Sequence, residues 1–202
     1  MAEEVSVRVG APAEAVSTSP LLDCATTGTC WEVATVFSVT VNLSLAGHHK
    51  RCAKRCRFPV NFAYGLYPDS YEIDGGFLFG CVNGMASIGS GTVRAKRHRL
   101  VLVPDFPDDV EQTFRSCFNG ERPKFSSWVQ ASSDGTSLRG KTSVRGRFVQ
   151  VTPIGDGVTR SAFKGKHRGV PFGSPIPPAV KQKLPICPDV LSVHCELVVQ
   201  QP

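Results

Sequence analysis

Trp31-Glu32-Val33-Ala34-Thr35-Val36-Phe37-Ser38-Val39-Thr40-Val41-Asn42-Leu43-Ser44-Leu45 is the stretch that decides the fold class. Trp31, Val33, Phe37, Val39, Val41, Leu43 and Leu45 share one parity, interrupted only by Thr35. Glu32, Ser38, Thr40, Asn42 and Ser44 take the other. Successive side chains of a strand point to opposite faces, so this alternation predicts a strand with one buried face. A helix over the same residues would scatter the apolar positions around its circumference.

Working outward, Phe58 to Tyr67, Phe77 to Val82, His98 to Val103, Trp128 to Ala131, Leu138 to Val151, Val158 to Phe163 and Leu191 to Val199 read as further strand material. Met85 to Val93 is Gly-rich and fits a strand or a loop. Turns are expected at Tyr67-Pro68-Asp69-Ser70, at Asp74-Gly75-Gly76 and at Gly155-Asp156-Gly157. Pro107 to Cys117 is the best helix candidate, because Asp108 and Asp109 suit a helix N-terminus and Val110 with Phe114 forms an i, i+4 pair. Six prolines between Pro171 and Pro188 predict an extended, irregular segment. Residues 1–23, rich in Ala, Ser, Pro and Glu, read as a disordered N-terminal tail. The expectation is a mostly β, single-domain antiparallel sandwich or barrel over residues 24–202, with one short helix.

Composition narrows the function classes. Of 202 residues, 41% are apolar, enough to bury a substantial core. No stretch approaches the roughly 18 apolar residues of a membrane-spanning helix. The acidic start Met1-Ala2-Glu3-Glu4-Val5 lacks the basic and apolar regions of a secretory signal. A cytoplasmic or nuclear location is therefore expected, not a secreted one. In a reducing compartment, eight cysteines read as free thiols or metal ligands rather than disulfides.

The net charge is +6, and 17 of the 23 Lys and Arg residues fall in four short runs. These are Lys50, Arg51, Lys54, Arg55 and Arg57; Arg94, Lys96, Arg97 and Arg99; Arg139, Lys141, Arg145 and Arg147; and Arg160, Lys164, Lys166 and Arg168. On a strand over 138–151, Arg139, Lys141, Arg145 and Arg147 share one face, and Leu138, Val144 and Phe148 the other. Alternate residues lie roughly 6–7 Å apart, so such a row is self-repelling unless solvent or a polyanion screens it. RNA is the expected polyanion, held by the third and fourth runs with Lys50, Arg51, Lys54 and Arg55 extending the surface. The bland alternative is a solvated outer face that keeps the protein soluble. No recognition-module signature accompanies the charge. Small regulatory or accessory proteins of viruses share this profile, so a non-enzymatic binding protein is expected.

Two other chemistries are open. Cys24 and Cys30, spaced Cys-x5-Cys, with Cys52 and Cys56, spaced Cys-x3-Cys, make a tetrahedral zinc set, with His48 or His49 able to replace one ligand. That would give a zinc-stapled module for a host or partner protein. It requires the intervening strand, roughly 50 Å long if straight, to bring its ends together. Cys187 with His194 and Cys195 is a weaker set. Gly28-Thr29-Cys30-Trp31 resembles the nucleophile region of papain-like leader proteases of RNA viruses. The resemblance implies Cys30 as nucleophile at a helix N-terminus, with a distant His98, His167 or His194 as its partner. Arg168-Gly169-Val170-Pro171-Phe172-Gly173-Ser174 faintly resembles the Gly-rich C-terminal motif of the trimeric dUTPase family. Trp31 and Trp128 read as core residues. Tyr64, Tyr67 and Tyr71 read as packed side chains with base stacking as the alternative.

Overall fold

The computed structural model describes residues 2–8, 29–45, 51–81, 84–117, 121–152, 155–178, 183–187 and 192–198. Among the described residues, ten strands and one helix run in the order β1 (Ala2–Arg8), β2 (Thr29–Leu45), β3 (Arg51–Leu66), β4 (Ser70–Cys81), β5 (Gly84–Lys96), β6 (Arg99–Pro104), α1 (Asp108–Cys117), β7 (Lys124–Ala131), β8 (Leu138–Thr152), β9 (Gly155–Pro171) and β10 (Ser192–Val198). Strands β2 to β9 follow one another around a closed antiparallel barrel, while β1 and β10 form a separate two-stranded sheet. The mostly β expectation, with one short helix, is met as a barrel. Within the segment read as a tail, residues 2–8 form β1, held by antiparallel pairing from Ala2↔Val198 to Arg8↔Ser192. Residues 9–23 lie outside the described ones.

The period-two stretch lies in β2, which with β9 is one of the two longest staves. Trp31, Val33, Thr35, Phe37, Val39 and Val41 are all buried, as the alternation requires. The next strand begins earlier than the Phe58 start expected from its apolar residues, because the basic stretch 51–57 also pairs with β2, the ladder running from Thr29↔Leu66 to Ser44↔Arg51. On β3, Phe62, Tyr64 and Leu66 point inward with Cys56. Asp74-Gly75-Gly76 is not a turn. It lies within β4, where the register against β5 shifts between Glu72 and Phe77, so the glycines serve a bulge rather than a reversal. Gly155-Asp156-Gly157 likewise belongs to β9.

The ladders differ in length. Strand β2 pairs with β9 from Trp31↔Pro171 to Leu45↔Gly157, and β8 with β9 from Leu138↔Gly169 to Thr152↔Gly155. By contrast β3 meets β4 only over Tyr64–Leu66 against Tyr71–Ile73, and β6 meets β7 only over Leu100–Leu102 against Ser127–Val129. Two thin joints thus separate a sheet of β4, β5 and β6 from a longer one of β7, β8, β9, β2 and β3. At the β3–β4 joint, the free edge of β3 is taken up by the proline-rich C-terminal segment. The Arg57 amide donates to the Pro185 carbonyl at 2.7 Å and the Cys187 amide to the Arg57 carbonyl at 2.8 Å. The Cys56–Cys187 disulfide fixes that splice.

Helix α1 begins with Asp108, Asp109 and Glu111, carboxylates that complement the positive end of its dipole, and carries Arg115 in its last turn. Val110 and Phe114 are buried and Phe106 packs on Phe114, so this face docks against β5 and β4. Among the described residues, no helix is long and apolar enough to cross a membrane.

Candidate nucleic-acid interface

Strands β8 and β9 place cations outward and small or apolar groups inward. On β8, Arg139, Lys141, Arg145 and Arg147 are exposed, while Leu138, Gly140, Thr142 and Val144 are buried. On β9, Arg160, Lys164, Lys166 and Arg168 are exposed, while Phe163, Gly165, His167 and Gly169 are buried. The register then sets like charge against like: Arg139 opposite Arg168, Lys141 opposite Lys166 and Arg147 opposite Arg160. Directly opposed side chains on antiparallel strands have Cβ atoms about 4.5–5.5 Å apart, so each such pair is repulsive. Lys124 of β7 faces Arg145 and adds another.

Among the described residues no ion pair offsets the repulsion, and Glu32 of the flanking strand β2, opposite Val170, accepts from the Gly173 amide. Strands β7 and β8 hold no Asp or Glu, and β9 holds only Asp156 near its start. Among the described residues the ion pairs are those of Glu111 with Arg115 and Arg122, away from these strands. Arg139 donates instead to the Gln130 side-chain oxygen at 3.1 Å. The acidic groups gather elsewhere: Asp105, Asp108, Asp109 and Glu111 sit at or before the helix, which packs on β4 and β5. In an eight-stave barrel β4 and β5 stand opposite β8 and β9. The protein is therefore charged unequally across its width.

The first basic run joins the same surface in part. Arg55 is exposed on β3 opposite Thr40 of β2, which in turn faces Ala162 of β9. Arg51 and Lys54 occupy β3 opposite Ser44 and Val41, and Lys50 lies outside the described residues. Arg57 donates to the Leu184 carbonyl and is occupied in anchoring the C-terminal segment.

The second run, not singled out as part of the interface from sequence, reaches it through the β6–β7 joint. Lys96, Arg97, His98 and Arg99, at the β5–β6 turn, line a groove of about 610 Å³ with Trp128, Gln130 and Arg139. Trp128 is not a core residue. Its neighbours Ser127 and Val129 point inward, and Trp128 itself faces outward, with the Arg99 guanidinium 4.1 Å from its ring centroid. Trp31 is buried as expected, and Tyr64 and Tyr71 are core residues, so neither tyrosine can stack on a base.

Beneath the basic face runs a buried polar chain. Ser127 and Thr142 hydroxyls meet at 2.6 Å, Thr142 meets His167 Nε2 at 2.7 Å, and His167 Nδ1 meets Thr35 at 2.6 Å. Burial pushes His167 down to about 4, which keeps the ring neutral. The Tyr64 ring lies 5.9 Å from His167. Its hydroxyl is raised above the ordinary tyrosine range by burial first and then by Tyr71; Thr142 offsets this slightly, though its geometry is not that of a hydrogen bond. His167 and its partners are all buried, so the chain acts as a satisfied polar core.

The cysteine chemistries fare differently. Cys30 is buried on a strand and is itself disulfide-bonded, so it offers neither a thiolate nor a helix N-terminus. His98 lies instead in the groove. The zinc set of Cys24, Cys30, Cys52 and Cys56 loses two ligands to disulfides, since Cys56 pairs with Cys187. Cys24, His48 and His49 lie outside the described residues, among which no cluster suited to a metal ion occurs. The same pairing removes Cys187 from the set with His194 and Cys195. These bonds also run against the expectation of free thiols. The segment 168–174 forms the end of β9 and a turn in which the Gly173 amide donates to Glu32.

No protein-family model matches the chain, and no curated protein matches it. Among solved structures, the ywiB protein from Bacillus subtilis is similar at 6% identity, over 67% of this chain and 92% of that one, with a TM-score of 0.22. That likeness carries no argument about fold or function.

Proposed function

We propose that this protein is a non-enzymatic, basic β-barrel that binds RNA through the outer face of β8 and β9, with Lys124 and Arg55 at its margins. One observation carries the reading: like charges are set directly opposite one another along two long strands whose only carboxylate is Asp156 near the start of β9. A polyanion relieves that repulsion, and each phosphate neutralised releases counterions. The charge asymmetry across the barrel would turn this face toward an approaching polyanion. Contacts from strand faces to phosphates position a chain without reading its sequence, so selectivity should be weak.

The test is fluorescence anisotropy with a single-stranded RNA across a salt series, comparing wild type with Arg139, Lys141, Arg145 and Arg147 all changed to Glu. Engagement of about five phosphates gives a slope of log affinity against log salt near −3.5. The variant should lose binding while its melting temperature holds or rises, because four like-charged pairs become opposite ones. Absence of wild-type binding at low salt would refute the proposal.

The disulfides favour a second reading of the same face. Such bonds persist in oxidising compartments, where sulfated polysaccharides are the abundant polyanion. Heparin in the same assay distinguishes the two.

A further inference from the structure

Three observations converge on the groove between the β5–β6 turn and β7. First, Trp128 is an outward-facing aromatic in a groove lined chiefly by Lys, Arg, Ser and Gln with His98 and Val101, and it faces Lys141 across the ladder. Second, the Arg99 guanidinium lies over that indole, 4.1 Å from its centroid, a cation–π contact that joins the two side chains into one platform. Third, Arg97 at the groove's lip has a φ of 57°, a left-handed conformation that favours glycine. The pairing of Lys96 with Arg99 leaves Arg97 and His98 as a two-residue hairpin turn that requires this φ, and a cation rather than glycine occupies it. The groove's volume, about 610 Å³, is within the range of sites that hold small ligands.

We propose that this groove seats one unpaired nucleotide of a single-stranded RNA, its base stacked on the Arg99–Trp128 platform and its flanking phosphates held by Arg97 and Arg139. The inference rests on the RNA reading of the adjoining face and adds a preference to it. The cation rows of β8 and β9 attract any polyanion. An aromatic platform rewards only a chain with unpaired bases, because stacking needs an exposed π-face. Duplex RNA keeps its bases stacked on one another, and sulfated polysaccharides have none.

Anisotropy with three probes of similar charge tests this: a 12-nucleotide single-stranded RNA, a duplex RNA and heparin. Wild type should favour the single strand. Trp128→Leu should weaken single-strand binding about tenfold and change the other two less than twofold, since base stacking is lost and the charges remain. Trp128→Phe should restore most of the loss, which separates stacking from packing. Arg97→Gly should weaken the single strand severalfold while raising the melting temperature. Equal losses on all three probes, or none on any, would overturn the platform and leave the basic face standing. Failure of wild type to bind any probe would overturn both.

Discussion

Changing His167 to Gln should flatten the acid dependence of stability, and the size of the effect can be worked from its surroundings. The ring is almost wholly buried and held by Thr35 and Thr142. Burial lowers its pKa from 6.5 to about 4, a difference of about 2.5 units, which converts to about 3 kcal/mol. The sign follows from proton counting. Above pH 6.5 neither state binds the proton and the full stability is present. Between pH 6.5 and 4 the unfolded chain is protonated and the folded one is not, so stability falls as pH falls through that window. His167→Gln loses one or both hydrogen bonds, costing about 1–3 kcal/mol at pH 7.5. Because Gln does not titrate, the wild type's advantage should shrink by about 3 kcal/mol as pH approaches 4, so that it vanishes or reverses. Asp134, pulled down to about 2 chiefly by the Ser132 hydroxyl and by Thr136, titrates below this window, and the carboxylates common to both proteins cancel in the difference. Urea unfolding followed by tryptophan fluorescence at half-unit pH steps measures it. A constant gap from pH 7.5 to 4 would refute the reasoning.

Two further perturbations probe the barrel. Cys56→Ser with Cys187→Ser should lower stability by up to about 5 kcal/mol in the chain-entropy account, because the bond spans 131 residues; a chemical-denaturation midpoint unchanged from wild type would deny the splice its structural role. Gly165→Ala should cost about 1–3 kcal/mol, since the added Cβ would stand 2.6 Å from the buried Phe37 ring and 2.9 Å from Thr35, and calorimetry should show a melting temperature several degrees lower.

The strand face was legible where alternation was clean. Residues 31–45 and the parity of Arg139, Lys141, Arg145 and Arg147 needed only period two, and the helix over 108–117 needed only its acidic start and its i, i+4 pair. What escaped depends on which strands become neighbours. Arg99 and Arg139 lie forty residues apart and meet only because β6 pairs with β7 and β7 with β8. Register is not written in either strand alone. Cys52 to Arg57, rich in cations, carries no apolar alternation to mark a strand, and its ladder with β2 is what makes it one. The stretch 164–169 looked polar throughout, although Gly165, His167 and Gly169 face inward; two glycines and a histidine give no apolar signal, yet they are what fits beside Phe37, Val33 and Leu138. The cysteines were read through the compartment expected from the N-terminus, whereas the pairing of Cys56 with Cys187 is a matter of tertiary proximity.

The two thin joints give the barrel a mechanical character. Its shorter and longer sheets are two shells meeting along two seams. Each seam is closed by only three residues of ladder, Tyr64–Leu66 against Tyr71–Ile73 at one and Leu100–Leu102 against Ser127–Val129 at the other, where an arginine also lies on an indole. Thermal opening would then begin along the seams, with amide exchange appearing there before it reaches the long ladders of β9. One seam borders the groove, so an occupant stacked there would act as a clasp on the barrel.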